Sequence, residues 1–270
     1  MALDKIFLIN KNYLKRLFSL FILIPIYIFS IFSNSILSFV IILLTSIVLS
    51  FEWFNITQKN IDNNKKYLFI IITSLNIIIA NYVNFTFSIL ITILLSSLFF
   101  FKFIFSNKDI YKVKWLFYGF IYISIPLIIF FHTKKIDDGY LILLWMFIIV
   151  CASDVFSYIF GNLLKGPKIF PVLSPSKTYS GTIAGLCIGS FCGIFFFESF
   201  ITINSKYFIF YSILVSIAGL LGDLTISRVK RIFKIKDSSK LIPGHGGFLD
   251  RFDSISFGLL AVFFIQYLFN

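Results

Sequence analysis

Long apolar runs separated by short polar segments dominate the hydrophobic pattern of this chain. A membrane-spanning helix needs about 20 mostly apolar residues, and nine runs approach that length. We predict spans at roughly 17–33, 35–51, 67–83, 85–105, 115–131, 139–160, 181–199, 206–222 and 255–269. The pattern therefore predicts an all-α, polytopic integral membrane protein with about nine transmembrane helices.

Composition and the placement of charge support this interpretation. Hydrophobic residues make up 59% of the chain and charged residues 13%, whereas soluble domains are about half apolar and a quarter charged. Short loops rich in lysine and arginine stay in the cytoplasm. All but three of the 24 lysines and arginines fall on one side of the nine-helix arrangement, the exceptions being Lys134, Lys135 and Lys206. We predict a cytoplasmic N-terminus and a multi-pass location in a bacterial cell membrane, with an organelle membrane as the alternative.

The two longest polar segments, Gly161 to Ser180 and Asp223 to Ser254, lie on the same predicted cytoplasmic face. Residues 1–138 would form about five N-terminal spans, and residues 139–270 a C-terminal catalytic membrane domain of about four spans. The polar stretches of the first part, such as residues 52–66, are interpreted as solvated connectors that anchor the topology. Function is therefore expected in the second part.

Aspartates occur where the predicted eighth helix ends and the ninth begins. Asp223 follows the apolar run SIAGLLG, and a carboxylate at that depth is costly unless it faces a cation. Chain reversal would return Asp250 and Asp253 to the same level. Carboxylates without nearby histidine or cysteine suit Mg²⁺, so we predict Asp223 and Asp250 as metal ligands. For each aspartate taken singly, the alternative is a helix cap or a salt bridge with Arg228 or Arg251.

A basic stretch and a glycine-rich turn lie between these aspartates. Apolar residues recur at helical spacing from Ile226, with Lys230 and Arg231 between them, which predicts an amphipathic helix. Its basic face either lies on anionic lipid or neutralises phosphate groups. The turn PGHGG permits close backbone approach to an anion, and His245 within it is interpreted as a phosphate contact or proton relay, the alternative being a structural hydrogen bond.

The pattern S..KR....KD.S.LIPGHGG.LDR.D, from Ser227 to Asp253, strongly resembles the signature of the phosphatidate cytidylyltransferases, also called CDP-diacylglycerol synthases. Upstream, SDVFSYIFGNLLKGPKIFPVLSPSKTYSG is similar to two further elements of that family. The resemblance covers roughly residues 151–254. Matching positions of the upstream elements are Asp154, Tyr158, Gly161, Pro171, Ser174, Pro175, Lys177, Thr178 and Gly181.

The resemblance implies that the phosphate of phosphatidic acid attacks the α-phosphate of CTP, giving CDP-diacylglycerol and pyrophosphate. It also implies a homodimer. The cofactor predicted from the carboxylates is Mg²⁺, with a second cation left open, and the expected partners include membrane lipids but no nucleic acid. The alternatives are a CTP-dependent enzyme acting on another lipid, such as a polyprenol kinase, a membrane transporter or channel, and an inactive scaffold.

The site residues predicted from the pattern and the resemblance fall into three groups. The predicted catalytic residues are Asp223, Asp250, Ser227, Lys230, Arg231 and His245. The predicted substrate-binding residues are Asp154, Ser174, Lys177, Thr178, Lys236, Asp237, Gly246, Gly247, Arg251 and Asp253. The predicted metal ligands are Asp223 and Asp250.

Overall fold

The computed structural model describes residues 25–58, 63–106, 110–200, 207–239, 241 and 246–269. Helices dominate these residues, and one short hairpin interrupts them. The elements in chain order are α1 (25–32), α2 (Ser35–Thr57), α3 (Asn63–Tyr82), α4 (Phe85–Ser106), α5 (Ile110–Lys134), α6 (Gly139–Leu164), β1 (Lys168–Phe170), β2 (Ser174–Thr178), α7 (Tyr179–Phe200), α8 (Phe208–Ile232) and α9 (Leu249–Phe269).

Several of these helices are long and apolar enough to cross a membrane, which agrees with the predicted class of helical, multi-pass membrane protein. Among the described residues, five meet that criterion, and an apolar helix at Phe85–Phe101 falls short of the length. The count of nine spans and the cytoplasmic N-terminus stay predictions. The five helices are Ser35–Thr57, Val113–Lys134, Gly139–Leu164, Tyr179–Phe197 and Phe208–Ile232.

The first polar segment forms a short antiparallel hairpin, which lies within a fold that agrees with the predicted all-α class. Lys168 pairs with Thr178 and Phe170 with Ser174, on either side of a three-residue turn. The backbone N–H of Tyr179 donates to the carbonyl of Pro167 at 3.1 Å, and α7 begins at Tyr179 itself. The hairpin is therefore joined without a linker to the helix that follows it.

Both helices of the second polar segment extend further than the apolar pattern indicated. Helix α8 continues to Ile232, so the predicted amphipathic stretch is its last turns, and its apolar residues Ile226 and Val229 are buried in the protein. Helix α9 begins at Leu249, ahead of the predicted residue 255. Apolar run length misses these turns because their polar side chains are stabilised by partners elsewhere in the fold, which local hydropathy does not register.

Helices α6 and α7 pack with their backbones unusually close. Glycines recur every fourth residue along the face of α7 that meets α6, and an added Cβ at Gly185 would lie 2.5 Å from the carbonyl oxygen of Ser153. At Gly189 it would lie 3.0 Å from the carbonyl oxygen of Ile149. Small residues permit such approach between membrane helices. This packing holds the hairpin, which precedes α7, against the end of α6.

Replacing Gly185 with leucine should force α6 and α7 apart, because backbone atoms of α6 occupy the space that a side chain needs. Overpacking of this kind costs about 1–3 kcal/mol, so the thermal unfolding midpoint in detergent should fall. Cys187→Leu adds the same side chain at an exposed position of the same helix and is the matched control. Equal midpoints for the two variants would contradict the close packing.

Candidate functional site

The two long polar segments meet at one end of the helix bundle, as the sequence predicted. Lys177 of β2 forms an ion pair with Asp223 of α8, with 2.5 Å between Nζ and Oδ2. Further along α8, Arg231 Nε donates to the carbonyl of Leu173 in the hairpin turn at 3.3 Å. These contacts join residues that the sequence separates widely, and they place the hairpin beside the carboxylates of α8.

Asp223 is a partly accessible carboxylate of this site. Its side chain is 28% exposed and that of Lys177 is 17% exposed, so neither member of the ion pair is fully enclosed. Ser227, one helical turn later, donates to Asp223 Oδ1 at 3.3 Å. The prediction that Ser227 and Asp223 share a helical face is therefore confirmed.

Two further carboxylates lie near Asp223. Asp154 of α6 has an exposed side chain, whereas that of Asp253 in α9 is buried. The charges of Asp154, Asp223 and Asp253 are close enough to act on one another, and Lys177 also acts on Asp154. Three negatively charged side chains thus lie close together. Among the described residues, Lys177 forms the ion pair with Asp223.

Asp250, by contrast, has a side chain with little exposure, and both of its carboxylate oxygens have partners. Its Oδ1 is 2.8 Å from Lys230 Nζ, and the two side chains are 7% and 13% exposed. Its Oδ2 accepts hydrogen bonds from the backbone and hydroxyl of Ser238, both at 2.9 Å, and from the backbone of Gly247 at 3.1 Å. Burial alone would raise the pKa of Asp250, but Lys230 and these N–H donors outweigh burial and lower that pKa.

The glycines of the predicted turn allow the backbone to approach these side chains. Gly246 has a φ of +85°, and an added Cβ there would lie 2.7 Å from Asp250 Oδ2. An added Cβ at Gly247 would be only 1.8 Å from the hydroxyl of Ser238. Close backbone approach to a negatively charged group is thus observed, and the group is a carboxylate of the protein itself. Binding of a substrate anion by this turn stays a prediction, and His245 lies outside the described residues.

The remaining predicted residues are divided between surface and interior. Arg231, Lys236, Asp237 and Arg251 are exposed. Thr178 is buried, and its hydroxyl accepts a hydrogen bond from the backbone of Gly181 at 3.2 Å, which stabilises the first turn of α7. Ser174 is half-buried at the start of β2.

Glu52 is the residue of this region that the sequence interpretation missed. The solvated connector predicted at residues 52–66 is wrong at its start, because Glu52 lies within α2 and is 0% exposed. Its carboxylate accepts hydrogen bonds from residues on both sides of the glycine turn. The signal was present: like Asp223, Glu52 directly follows an apolar run, and a carboxylate placed there needs partners.

The donor chemistry around Asp223 fits a divalent cation better than that around Asp250. Among the described residues, no three histidine, cysteine, aspartate or glutamate side chains form a metal-binding group. Each predicted ligand instead contacts a lysine ammonium group. Carboxylate and hydroxyl oxygens suit Mg²⁺. Asp223 offers partly exposed oxygens. In Asp250, backbone and hydroxyl donors occupy Oδ2, which leaves Oδ1 as the oxygen better placed to bind a cation.

Replacing Lys230 with methionine should leave Asp250 buried without its cation. Removing one partner of a buried pair costs about 3 kcal/mol or more, so the variant should unfold at a lower temperature at pH 7. Because Lys230 lowers the pKa of Asp250, its stabilising effect is full above the ordinary aspartate pKa, about 3.9, and is lost as the pH falls further.

The measurement is the difference in thermal midpoint between the two proteins across pH, which should shrink below about pH 4. Arg228→Met removes an exposed charge from the same helix and serves as the control. If the thermal midpoint of Lys230→Met were lower by the same amount at every pH, Lys230 would stabilise the fold by packing alone.

Comparison with known proteins adds three relatives and one family. The model of the Cytidylyltransferase family matches residues 14–269. A phosphatidate cytidylyltransferase of Staphylococcus haemolyticus (strain JCSC1435) is 42% identical over 149 residues, which cover 54% of this chain and 56% of that protein. One of Rickettsia bellii (strain RML369-C) is 41% identical over 167 residues, covering 58% and 71%. One of Staphylococcus aureus (strain COL) is 38% identical over 153 residues, covering 54% and 56%. The chain thus spans little more than half the length of the staphylococcal relatives it matches.

Proposed function

Because this chain belongs to the cytidylyltransferase family, we propose that it transfers CMP from CTP to phosphatidic acid, giving CDP-diacylglycerol and pyrophosphate. The acceptor is suggested by the relatives, each of which is named phosphatidate cytidylyltransferase. In the reaction, an oxygen of the lipid phosphate forms a bond to the α-phosphorus of CTP. The bond from that phosphorus to the bridging oxygen breaks, and pyrophosphate leaves.

The observation that carries this proposal is the pairing of lysines with carboxylates at one end of an apolar bundle. The reaction brings a polyanionic nucleotide to an anionic lipid headgroup, so it depends mainly on positioning and on charge neutralisation. Lys177 and Lys230 each contact an aspartate, and Arg231 and Lys236 are exposed nearby in the chain. This arrangement supplies several cations at one membrane surface, together with carboxylates able to hold another.

Within this proposal, the partly accessible pair of Asp223 and Lys177 receives the phosphates of CTP. Lys177 binds phosphate, and Ser227 donates either to Asp223 or to substrate. Arg231, Lys236 and Arg251 neutralise the remaining phosphate charge from the exposed side, and Asp154 completes the nucleotide side. Mg²⁺ held by Asp223, with Oδ1 of Asp250 as a second ligand, would supply further charge neutralisation at the reacting phosphates.

We further propose that the site faces the cytoplasm, where CTP is found, and that the lipid enters sideways from the membrane. Asp154 supports this route because it lies on α6 beside exposed apolar residues, among them Val155 and Ile159. A headgroup could therefore reach the carboxylates while its acyl chains stay against α6. We also propose that the protein forms the homodimer implied by the resemblance.

The acceptor can be tested with purified protein, labelled CTP and Mg²⁺, offered either phosphatidic acid or a polyprenol. We expect the label to appear in CDP-diacylglycerol only when phosphatidic acid is present, because the proposed reaction adds CMP to a lipid phosphate. The products are identified by chromatography against standards. A polyprenol phosphate product would instead show a CTP-dependent kinase, and no lipid product from either acceptor would contradict the proposed function.

Replacing Asp223 with asparagine should abolish turnover while the thermal midpoint stays close to that of the unchanged protein. The side chain is 28% exposed and would lose only its ion pair with Lys177 and one long hydrogen bond from Ser227, so removing its charge costs little folding energy. Asp137→Asn, in an exposed turn between α5 and α6, is the matched control and should remain active. Near-normal CTP- and Mg²⁺-dependent activity in Asp223→Asn would refute the role given to this carboxylate.

A further inference from the structure

A carboxylate from the N-terminal half of the chain lies directly beneath the segment that carries Asp250. Glu52 of α2 is 0% exposed and has four donor groups within hydrogen-bond distance, on residues between α8 and the start of α9. The hydroxyl of Ser239 donates at 2.5 Å, and the backbone N–H groups of Phe248 and Leu249 donate at 2.9 and 2.7 Å. The hydroxyl of Ser238, whose single proton is shared with Asp250, lies 3.2 Å from Glu52 Oε2. These five residues are called the Glu52 clamp below.

The clamp satisfies both oxygens of Glu52 with donors from one segment. A buried carboxylate is costly unless its oxygens are hydrogen-bonded, so the fold strongly favours the arrangement in which these donors surround Glu52. Conversely, hydroxyl and backbone groups on both sides of the glycine turn are held to α2. The positions of those groups are therefore determined by α2, far from them in sequence.

The Glu52 clamp includes the first residue of α9, Leu249. The first backbone N–H groups of a helix have no partner within it, and a negative charge near them is favourable. Glu52 accepts from Leu249, the first residue of α9, and from Phe248 just before it. The Glu52 side chain, which belongs to another helix, thus caps the N-terminus of α9. It thereby fixes the residue at which α9 begins and the position of Asp250 in its first turn.

Glu52 is also coupled to Asp250 through a shared donor. The hydroxyl of Ser238 lies 3.2 Å from Glu52 Oε2 and 2.9 Å from Asp250 Oδ2. Gly247 fills the space between, because an added Cβ would lie 2.7 Å from each carboxylate oxygen of Glu52. Any displacement of Glu52 would therefore move Ser238 and Gly247, which are two of the residues that hold Asp250.

We propose that Glu52 is a positioning residue for cytidylyl transfer: through the clamp it fixes Asp250 and the backbone of Gly247 at the distance from Asp223 that the reaction needs. The inference rests on the proposed function, since it takes Asp250 to belong to the reaction site. As a positioning residue, Glu52 itself contacts no substrate. It acts by holding the donors that hold Asp250.

The direct test is Glu52→Gln, which preserves the size of the side chain but replaces one acceptor oxygen with an NH₂ group facing N–H and O–H donors. We expect kcat at saturating CTP and phosphatidic acid to fall about 10- to 100-fold, as for other groups that orient a reacting side chain. The KM for CTP should change much less, because Lys177 and the exposed basic residues are untouched. Glu52→Asp, which keeps the charge, should recover part of the lost kcat.

Amide hydrogen exchange provides a readout that does not depend on activity. Phe248 and Leu249 should exchange faster in Glu52→Gln than in the unchanged protein, because their acceptor is weakened. Thr57→Val is the matched control: Thr57 is a buried polar residue of the same helix, and its hydroxyl donates to the carbonyl of Trp53 in that helix. It should lower stability without faster exchange at Phe248 and Leu249 and without a selective loss of kcat.

The outcomes separate the clamp from the proposed function. If the unchanged protein makes no CDP-diacylglycerol, the proposed function fails, and unchanged exchange at Phe248 and Leu249 would overturn the clamp independently. If the unchanged protein is active, a kcat for Glu52→Gln within about twofold of normal, or an equal loss in Thr57→Val, overturns the positioning role. Should Glu52→Gln fail to fold, Ser239→Ala, which removes one of the four donors, must show a smaller fall in kcat with normal KM for the inference to stand.

Discussion

A carboxylate among packed apolar helices is stable only when donors reach its oxygens, and Glu52 and Asp250 both meet this requirement with the same short segment of chain. Glu52 is held by groups on both sides of the glycine turn, and Asp250 by Ser238, Gly247 and Lys230. The described residues on either side of the turn, 238–239 and 246–249, therefore lie between two carboxylates. The start of α9 and the depth of Asp250 both follow from that constraint.

A second constraint acts on the other side of the site. The glycines of α7 let its backbone approach α6 closely, and the β-hairpin leads into α7 without a linker. Lys177 at the end of that hairpin is thereby brought to Asp223 of α8. The counterion of Asp223 is therefore Lys177 of the hairpin, whereas the counterion of Asp250 is Lys230 of α8. The two carboxylates have different environments, one partly exposed and one with little exposure, and the chemical roles proposed for them differ accordingly.

Much of the site was predictable because its chemistry is written in residue type and short spacing. Asp223 and Ser227 are one helical turn apart, and the prediction that they share a face needed no more than helical periodicity. The convergence of the two polar segments followed from the placement of lysines and arginines on one side of the spans. The boundaries of α8 and α9 did not follow, because apolar run length stops at the first charged residue, whereas the helices continue wherever tertiary partners stabilise those charges.

The sequence by itself determined the membrane class of this protein, the family to which it belongs and the group of aspartates and basic residues that form the site, because hydropathy, charge placement and motif spacing are local properties of the chain. Only the tertiary structure decided which lysine pairs with which aspartate, and only it showed that Glu52 is hydrogen-bonded to residues that hold Asp250. Those contacts join residues far apart along the chain, as Glu52 and Leu249 are. No local pattern specifies the partner of a buried carboxylate, because any segment that presents suitable donors at the right depth would satisfy it.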